Sequence, residues 1–340
     1  MQDQATRRPE PLLVVDGLKT HIETRNGVVK AVDGISFSVH QGEIVGLVGE
    51  SGCGKTMTSL SIMGLVPAPS GRIVAGSIRF AGKELVGLGE REMRAIRGRD
   101  ISMMLQDPLT SLNPVFTIGN QVAESFIFHR RKGEAPRSIK DKVVEVLQRV
   151  RIASPERFFS SYPHQFSGGM RQRVSAAIAI APQPKLMIAD EPMTALDVTT
   201  QAQFLQLLRQ LRSETDLSII YITHDLGVVA RLCSRVIVMY AGHIVESGAV
   251  GAIYKSPAHP YTRGLMNSVP RLGASRGRLF QIEGQAPHLQ NMPPGCPFHP
   301  RCREAQDICR QELPPMTDIA ADGHRAACWF PQKTPLNPVS

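Results

Sequence analysis

The clearest chemical signal is the run from Gly49 to Thr56, which reads GESGCGKT. The apolar segment EIVGLVG precedes it and a helix-forming segment follows, so the run stands where a strand passes into a helix. Glycines let successive backbone N–H groups point inward at an anion, and the helix start adds partial positive charge. Lys55 can reach terminal phosphates, and the hydroxyl of Thr56 can bind Mg²⁺. A glycine-rich turn without a ligand is the alternative, but the strand and helix on either side favour nucleotide binding. The predicted phosphate loop comprises Gly49, Glu50, Ser51, Gly52, Cys53, Gly54, Lys55 and Thr56.

Two carboxylates end the apolar segment KLMIADEP at 185–192. Asp190 could support the water shell of Mg²⁺, and Glu191 could polarise a water for attack on the γ-phosphate. Unpaired acids are costly to bury, which favours a functional site over an edge of the surface. Taken alone, the pair is moderate evidence.

A second glycine-rich helix start occurs in FSGGMRQR at 166–173. Ser167, Gly168 and Gly169 open an apolar helix whose N-terminus could bind an anion. An ordinary serine N-cap is the alternative. Because one chain already has a phosphate loop, the second start predicts a dimer in which each half donates Ser-Gly-Gly to its partner's nucleotide.

Two polar residues follow further apolar runs. His224, in ITHDL at 222–226, comes after a strand expected to run parallel to the Asp190 strand, so it could face the γ-phosphate. Gln106, in MMLQDP at 103–108, could orient water or touch Mg²⁺. A lone histidine is more often a surface or core residue than a functional one. The order of all these motifs along the chain is what makes the set specific.

The composition is that of a globular protein. The 340 residues are 42% hydrophobic and 20% charged, and they carry a net charge of +9. No apolar run approaches the roughly 18 residues of a membrane-spanning helix. The start of the chain lacks a secretory signal pattern, so the sequence predicts a cytosolic protein. No dense basic run is present, so we predict no nucleic-acid partner.

The elements that must position these residues are strands alternating with helices. Segments between 12 and 48 alternate like strands, punctuated by turns at Gly27, Gly34 and Gly42. Residues 107–165 indicate a helical insert in which SIKDKVVEVLQRV forms an amphipathic helix that Ser138 can cap. Later apolar runs are typical of buried parallel strands, which predicts an α/β fold.

A Pro- and Gly-rich stretch at 254–264 marks a boundary, and a loop-rich, cysteine-rich tail follows it. Cys296, Cys302, Cys309 and Cys328 have the spacing C-x5-C-x6-C-x18-C. Four thiolates could bind Zn²⁺ or a [4Fe–4S] cluster, although no C-x2-C pair is present. Reduced thiols without a metal are the third possibility.

Taken together, the phosphate loop, Gln106, FSGGM, KLMIADEP, ALD at 195–197 and ITHD resemble an ABC-transporter ATPase. HPYTRGL at 259–265, followed by the cysteine-rich tail, resembles the ATPases of dipeptide, oligopeptide and nickel importers, most of all the dipeptide type. The resemblance implies a phosphate-loop core with an antiparallel β subdomain and a helical subdomain at about 107–180. It places the ATPase domain at 10–262 and an importer-type C-terminal domain at 263–335.

The same resemblance implies roles for the site residues. Asp190 would support Mg²⁺, Glu191 would be the catalytic base, and His224 would contact the γ-phosphate. Gln106 would sense Mg²⁺ and couple the site to the helical subdomain. Ser167 and Gly169 would reach the partner's ATP, and Asp197 would bridge the two halves.

The implied partners are two membrane permease subunits, a second ATPase that is either a paralogue or another copy, and an external substrate-binding protein. The implied location is the cytoplasmic face of the membrane. The family tail favours iron–sulfur over zinc.

Three positions depart from the family pattern: the signature reads Phe-Ser-Gly-Gly-Met rather than Leu-Ser-Gly-Gly-Gln, Cys53 replaces a small residue, and no aromatic stands near 20–28 to stack on adenine. His21 or Arg25 could replace that aromatic. Cys53 and Cys233 are expected to be ordinary buried residues.

Alternatives are an ATPase of a nickel or other small-solute importer, a soluble ABC protein of translation or DNA repair, and an inactive regulatory module. The chain has one cassette and no long coiled-coil insert, which disfavours the soluble class. Glu191 and His224 are both present, which disfavours the inactive one.

Overall fold

A computed structural model describes residues 10–106, 111–130, 138–194, 196–269, 280–332 and 334–335. Twelve strands in this part of the chain form two sheets. Among the described residues, no helix is both long enough and apolar enough to cross a lipid bilayer.

The first sheet is antiparallel and has four strands in the order β2-β1-β4-β5. Its strands are β1 (Leu13–Thr24), β2 (Gly27–Val39), β4 (Gly71–Phe80) and β5 (Lys83–Glu84). The turn predicted at Gly34 is wrong, because Gly34 lies inside β2. Leu18 pairs with Ile35 while Lys19 pairs with Asp33, so Gly34 is an extra residue in the ladder. Its φ of +82° shows a bulge that glycine adopts without a Cβ penalty.

The second sheet has eight strands in the order β11-β12-β10-β9-β3-β8-β7-β6. Its first five strands along the chain are β3 (Ile44–Val48), β6 (Ile101–Met104), β7 (Leu186–Asp190), β8 (Ser218–Thr223) and β9 (Arg235–Tyr240). These five run parallel, as the apolar runs predict. Every residue of β3, β7 and β8 is buried, because helices or the first sheet cover both faces. The antiparallel strands β10 (His243–Ala249), β11 (Met316–Asp318) and β12 (Arg325–Ala327) complete the sheet.

Eleven α-helices lie in the described residues. The first six are α1 (Lys55–Ile62), α2 (Glu90–Ile96), α3 (Ile118–Phe128), α4 (Ile139–Arg149), α5 (Pro155–Phe158) and α6 (Gly168–Ile180). The others are α7 (Val198–Thr215), α8 (Leu226–Leu232), α9 (Val250–Lys255), α10 (Pro260–Asn267) and α11 (Asp307–Gln311).

The described part of the predicted insert is helical, formed by α3, α4 and α5. Val143 and Leu147 of α4 are fully buried, which confirms the amphipathic helix. Ser138 does occupy the N-cap position, but its side chain makes no capping hydrogen bond. The insert packs on α6, and through it reaches the core behind β6, β7 and β8.

The C-terminal part of the described chain is joined to the eight-stranded sheet by a buried carboxylate on β10. Glu246 is fully buried and accepts hydrogen bonds from the backbone N–H groups of Ala258 (2.7 Å) and His259 (2.9 Å). Nε2 of His324 lies 2.7 Å from the same carboxylate. Next to this group, β12 pairs with β10 through Glu246 and Ala326. One side chain therefore fixes the start of α10 and the last hairpin onto the sheet.

We expect Glu246→Gln to lower the free energy of unfolding by about 3 kcal/mol, because the amide presents an NH₂ group to donors that need an acceptor. Urea denaturation followed by circular dichroism measures the change. Glu283→Gln is the matched control, since Glu283 forms an exposed ion pair with Arg303 and should shift stability by less than about 0.5 kcal/mol. Equal stability of the two variants would contradict the anchoring role of Glu246.

Candidate functional site

The phosphate loop connects β3 to α1, as predicted. Gly49 and Gly54 have φ values of +156° and +108°. A Cβ on Gly49 would lie 2.2 Å from the carbonyl oxygen of Met239, and one on Gly54 would lie 2.3 Å from that of Ala31. Gly52 has a φ of +77° but faces open space. Backbone crowding thus requires glycine at two of the three positions, and conformation favours it at the third.

Lys55 folds back over the loop. Its Nζ donates hydrogen bonds to the carbonyl oxygens of Gly49 (2.8 Å) and Glu50 (3.0 Å), and the residue is 5% exposed. Its ammonium group is thereby held over the concave loop, where a phosphate would lie. Ser51 and Gly52 at the tip are exposed, whereas Cys53 is buried as expected and burial raises the pKa of its thiol.

Asp190 ends β7 and is 3% exposed. The pKa of its carboxyl group is raised, mainly by burial and also by the negative charge of Glu191. The hydrogen bond with the Thr56 hydroxyl and the positive charge of Lys55 lower this pKa but do not cancel the effect of burial. Oδ1 of Asp190 is buried and has no hydrogen-bond partner in the protein. A buried carboxylate oxygen without a donor, next to a threonine hydroxyl and a lysine, fits the water shell of a bound Mg²⁺.

Glu191 is the centre of a polar group at the ends of three parallel strands. Nε2 of Gln106, after β6, donates to Oε2 of Glu191 at 3.4 Å. Nδ1 of His224, directly after β8, lies 3.3 Å from the same oxygen. Glu191 has a φ of +43°, which is unfavourable for a residue with a Cβ. Such strain is found at functional sites held in place by their surroundings. The structure thus brings together the three residues predicted from separate segments.

The Ser-Gly-Gly signature and Asp197 form a second, exposed polar group. Oγ of Ser167 caps α6 by accepting from the N–H of Met170. Asp197 caps α7 and accepts from the backbone N–H (2.9 Å) and hydroxyl (2.7 Å) of Thr200, and these hydrogen bonds lower its pKa. A Cβ on Gly169 would lie 2.5 Å from the methyl group of Thr200. Thr200 therefore packs the starts of α6 and α7 together, with Ser167, Gly168 and Asp197 facing solvent. Ala195 of the predicted ALD motif lies outside the described residues.

The candidates for contact with adenine occupy different environments. His21 lies within β1, is partly buried, and pairs across the sheet with Arg72. Its Nε2 is buried without a partner, and burial lowers its pKa. Arg25 lies at the exposed tip of the β1–β2 hairpin.

The four cysteines of the tail line one cavity of about 20 Å³. Cys296 and Cys309 are linked by a backbone hydrogen bond of 2.8 Å. Burial raises the pKa of Cys296 and Cys302, and it raises that of Cys328 to about 12, so these three thiols stay protonated at neutral pH. Within the described ranges, no three His, Cys, Asp or Glu side chains are arranged to hold a metal ion. Cys233 is separate and partly buried.

Two contacts with the phosphate loop were missed by the sequence analysis. Arg301 of the tail forms a two-pronged ion pair with Glu50, and the hydroxyl of Tyr261 accepts a hydrogen bond from the N–H of Glu50 at 2.9 Å. These residues are 251 and 211 positions away from Glu50, and no spacing rule connects them. The HPY run carried the only signal, since it placed Tyr261 in a recognisable motif.

Comparison with known proteins agrees with this geometry. A family model described as ABC transporter matches residues 32–194, and one described as the oligopeptide/dipeptide transporter C-terminal region matches residues 245–309. The chain is similar to the dipeptide transport ATP-binding protein DppD of Bacillus subtilis, with 47% identity covering 94% of this chain and 95% of that protein. It is also similar to the oligopeptide transport ATP-binding protein OppD of Salmonella typhimurium, with 45% identity covering 97% and 98%.

Among solved structures, the fold is similar to that of the ATP-binding cassette MJ0796, in a dimeric post-hydrolysis state bound to ADP and Pi. The TM-score is 0.62 with 25% identity, covering 70% of this chain and 98% of that one.

The fold and the site are those of an ABC-type ATPase. Within that class, the chain belongs to the family of dipeptide and oligopeptide transporter ATP-binding proteins, as its similarity over nearly its full length to DppD and OppD shows.

Proposed function

We propose that this protein is the energy-coupling ATPase of an importer for dipeptides or short oligopeptides. The observation that carries the proposal is the combination of a complete phosphate loop and Glu191 group with full-length similarity to peptide-transport ATP-binding proteins. A fold match alone would not support a substrate, because one fold serves many functions.

The roles of the site residues follow from their placement. Thr56 and Asp190 would hold Mg²⁺, which when bound offsets the negative charge of the phosphates. The loop N–H groups and Lys55 would hold the β- and γ-phosphates. Glu191 would accept a proton from the attacking water, with its carboxylate oriented by Gln106 and His224. His224 is exposed enough to contact the γ-phosphate as well.

We expect Glu191→Gln to reduce ATP hydrolysis at least 100-fold while ATP binding is retained, because the amide keeps the shape of the side chain and cannot accept the proton. Phosphate release and binding of radiolabelled ATP measure the two properties separately. Glu214→Gln, on the exposed end of α7, is the control and should hydrolyse ATP at the wild-type rate. Undiminished turnover by the Glu191 variant would refute the assignment of the base.

The exposed signature group supports a dimer. Ser167, Gly168 and Asp197 are exposed at the starts of α6 and α7, and Gly169 is partly exposed beside them. The related cassette MJ0796 is described as dimeric. We infer that Ser167 and Gly169 contact the nucleotide of a second ATPase subunit, which is a paralogue or another copy of this chain, and that Asp197 bridges the subunits.

An apolar surface near Gln106 supports permease partners. Leu105, Val115 and Phe116 lie between the end of β6 and the start of α3, and they are 54%, 70% and 47% exposed. Contiguous patches of exposed apolar side chains commonly mark protein interfaces, and we infer that these three side chains form one. Because Gln106 is adjacent to Leu105 and touches Glu191, this surface could sense the state of the site. We infer that the protein acts at the cytoplasmic face of the membrane, with two permease subunits bound and a substrate-binding protein delivering the peptide outside.

We also propose the division predicted from the sequence, with an ATPase domain at 10–262, a helical subdomain at about 107–180 and a C-terminal domain at 263–335. The helices α3 to α6 support the subdomain.

Uptake by a deletion strain tests the function. Wild-type protein should restore uptake of a radiolabelled dipeptide, and Glu191→Gln should not, because transport requires hydrolysis. Restored nickel uptake without dipeptide uptake would favour the nickel importer, and co-purification with ribosomes or DNA instead of permeases would favour a soluble ABC protein.

For the cysteine group, we propose a [4Fe–4S] cluster bound by Cys296, Cys302, Cys309 and Cys328. The support is that all four free thiols line one cavity beside Trp329 and Phe330. Cys296, Cys302 and Cys328 are protonated in the metal-free form, so iron binding would release protons and staple a segment with few helices or strands.

Protein purified without oxygen should be brown and contain about four irons per chain. Cys309→Ser should lose colour and iron, whereas Cys233→Ser, the control because Cys233 does not line this cavity, should keep both. Removal of iron with a chelator should lower the melting temperature of the wild type. Colourless protein, or protein loaded with zinc, would exclude the cluster.

A further inference from the structure

The second residue of the phosphate loop is a carboxylate. Glu50 lies directly after Gly49, and its side chain is 29% exposed. Lys55 does not compensate its charge, because Nζ of Lys55 bonds to the carbonyl oxygen of Glu50 and not to the carboxylate. A triphosphate carries several negative charges, so a free carboxylate in the loop would oppose its binding.

Arg301 compensates this charge from the C-terminal region. Nη1 of Arg301 donates to Oε2 of Glu50 at 2.8 Å, and Nη2 donates to Oε1 at 3.1 Å. The Arg301 side chain is 6% exposed, unlike most surface ion pairs. Its guanidinium group lies 5.8 Å from the centre of the Tyr240 ring, and its Nε donates to the carbonyl oxygen of Glu283 at 3.0 Å. A two-pronged ion pair with a buried guanidinium group fixes the orientation of both side chains.

Tyr261 holds the backbone of the same residue. The hydroxyl of Tyr261 accepts the N–H of Glu50, and the ring is fully buried against Tyr240 and Phe298. Arg301 therefore binds the side chain of Glu50, and Tyr261 binds its main chain. The pair turns the carboxylate towards Arg301 and sets the backbone direction with which the loop begins.

We propose that Arg301 and Tyr261 are positioning residues for nucleotide binding. They fix the backbone at the start of the phosphate loop and neutralise the charge of Glu50. The inference rests on the proposed ATPase function and assigns the C-terminal region a part in it. Arg301 acts through Glu50 and does not touch the nucleotide. An ion pair that served stability alone would leave the affinity for ATP unchanged in any variant that folds.

The test compares the affinity of the full chain for MgATP by isothermal titration, together with KM and kcat for hydrolysis. Arg301→Ala should raise Kd and KM about tenfold with kcat changed less than about twofold, because loop preorganisation is lost and the catalytic group at Glu191 is not. Tyr261→Phe should raise Kd by a smaller factor. Arg303→Ala is the matched control, since Arg303 pairs with Glu283 at an exposed site, and it should bind ATP like the wild type.

A second substitution separates charge compensation from general damage. Glu50→Gln in the Arg301→Ala background should recover most of the lost affinity, because no uncompensated carboxylate remains. Arg301→Lys keeps the charge but loses the two-pronged geometry, and it should bind several-fold more weakly at wild-type melting temperature. This variant decides the question if Arg301→Ala does not fold.

Wild-type affinity in Arg301→Lys, or no recovery in the double variant, would overturn the proposal. Iron is measured in every variant, because Arg301 precedes Cys302 and loss of a cluster could also lower the affinity for MgATP. Lys55→Ala should abolish ATP binding, and if it did not, the proposed function itself would fail.

Discussion

The site depends on one constraint: neighbouring parallel strands end at the same edge of a sheet. Strands β6, β7, β8 and β3 are adjacent and parallel, so the residues that follow them meet without any long-range signal in the sequence. Gln106, Glu191 and His224 converge for this reason, and the phosphate loop lies at the same edge. Because the strands are buried on both faces, charged side chains are confined to their ends, where Asp190 keeps an oxygen without a partner.

Much of this arrangement could be predicted from the sequence because its signals are local. The glycine spacing of the phosphate loop, the acids after β7 and the apolar runs of the strands each lie within a few residues. The two tight approaches at Gly49 and Gly54 explain why that spacing is informative, since backbone carbonyls occupy the space of a side chain. Gly34 shows the limit of the same reasoning, because a positive φ within a ladder makes a bulge and not a turn.

The contacts that tie the C-terminal region to the rest could not be predicted, because they join residues far apart in the chain. Arg301 and Tyr261 reach Glu50, and His324 reaches Glu246, through side chains that carry no periodicity. From composition, residues 263–335 read as a loop-rich appendage. In the structure they contribute two strands to the main sheet and contacts to the phosphate loop. The difference arises because an unpaired sheet edge and a buried carboxylate both need hydrogen-bond partners, and residues distant in the sequence supply them here.

The pairing of β12 with β10 has a consequence for how the protein matures on the ribosome. Glu246 can bond Ala258 and His259 soon after its synthesis. Its contact with His324 needs 78 further residues, and the outer edge of β10 stays unpaired until Ala326 is made. At synthesis rates of about 5–20 residues per second, that edge stays unpaired for roughly ten seconds. A nascent chain stalled in this interval exposes an open strand edge, and chaperones that shield such edges would act on it.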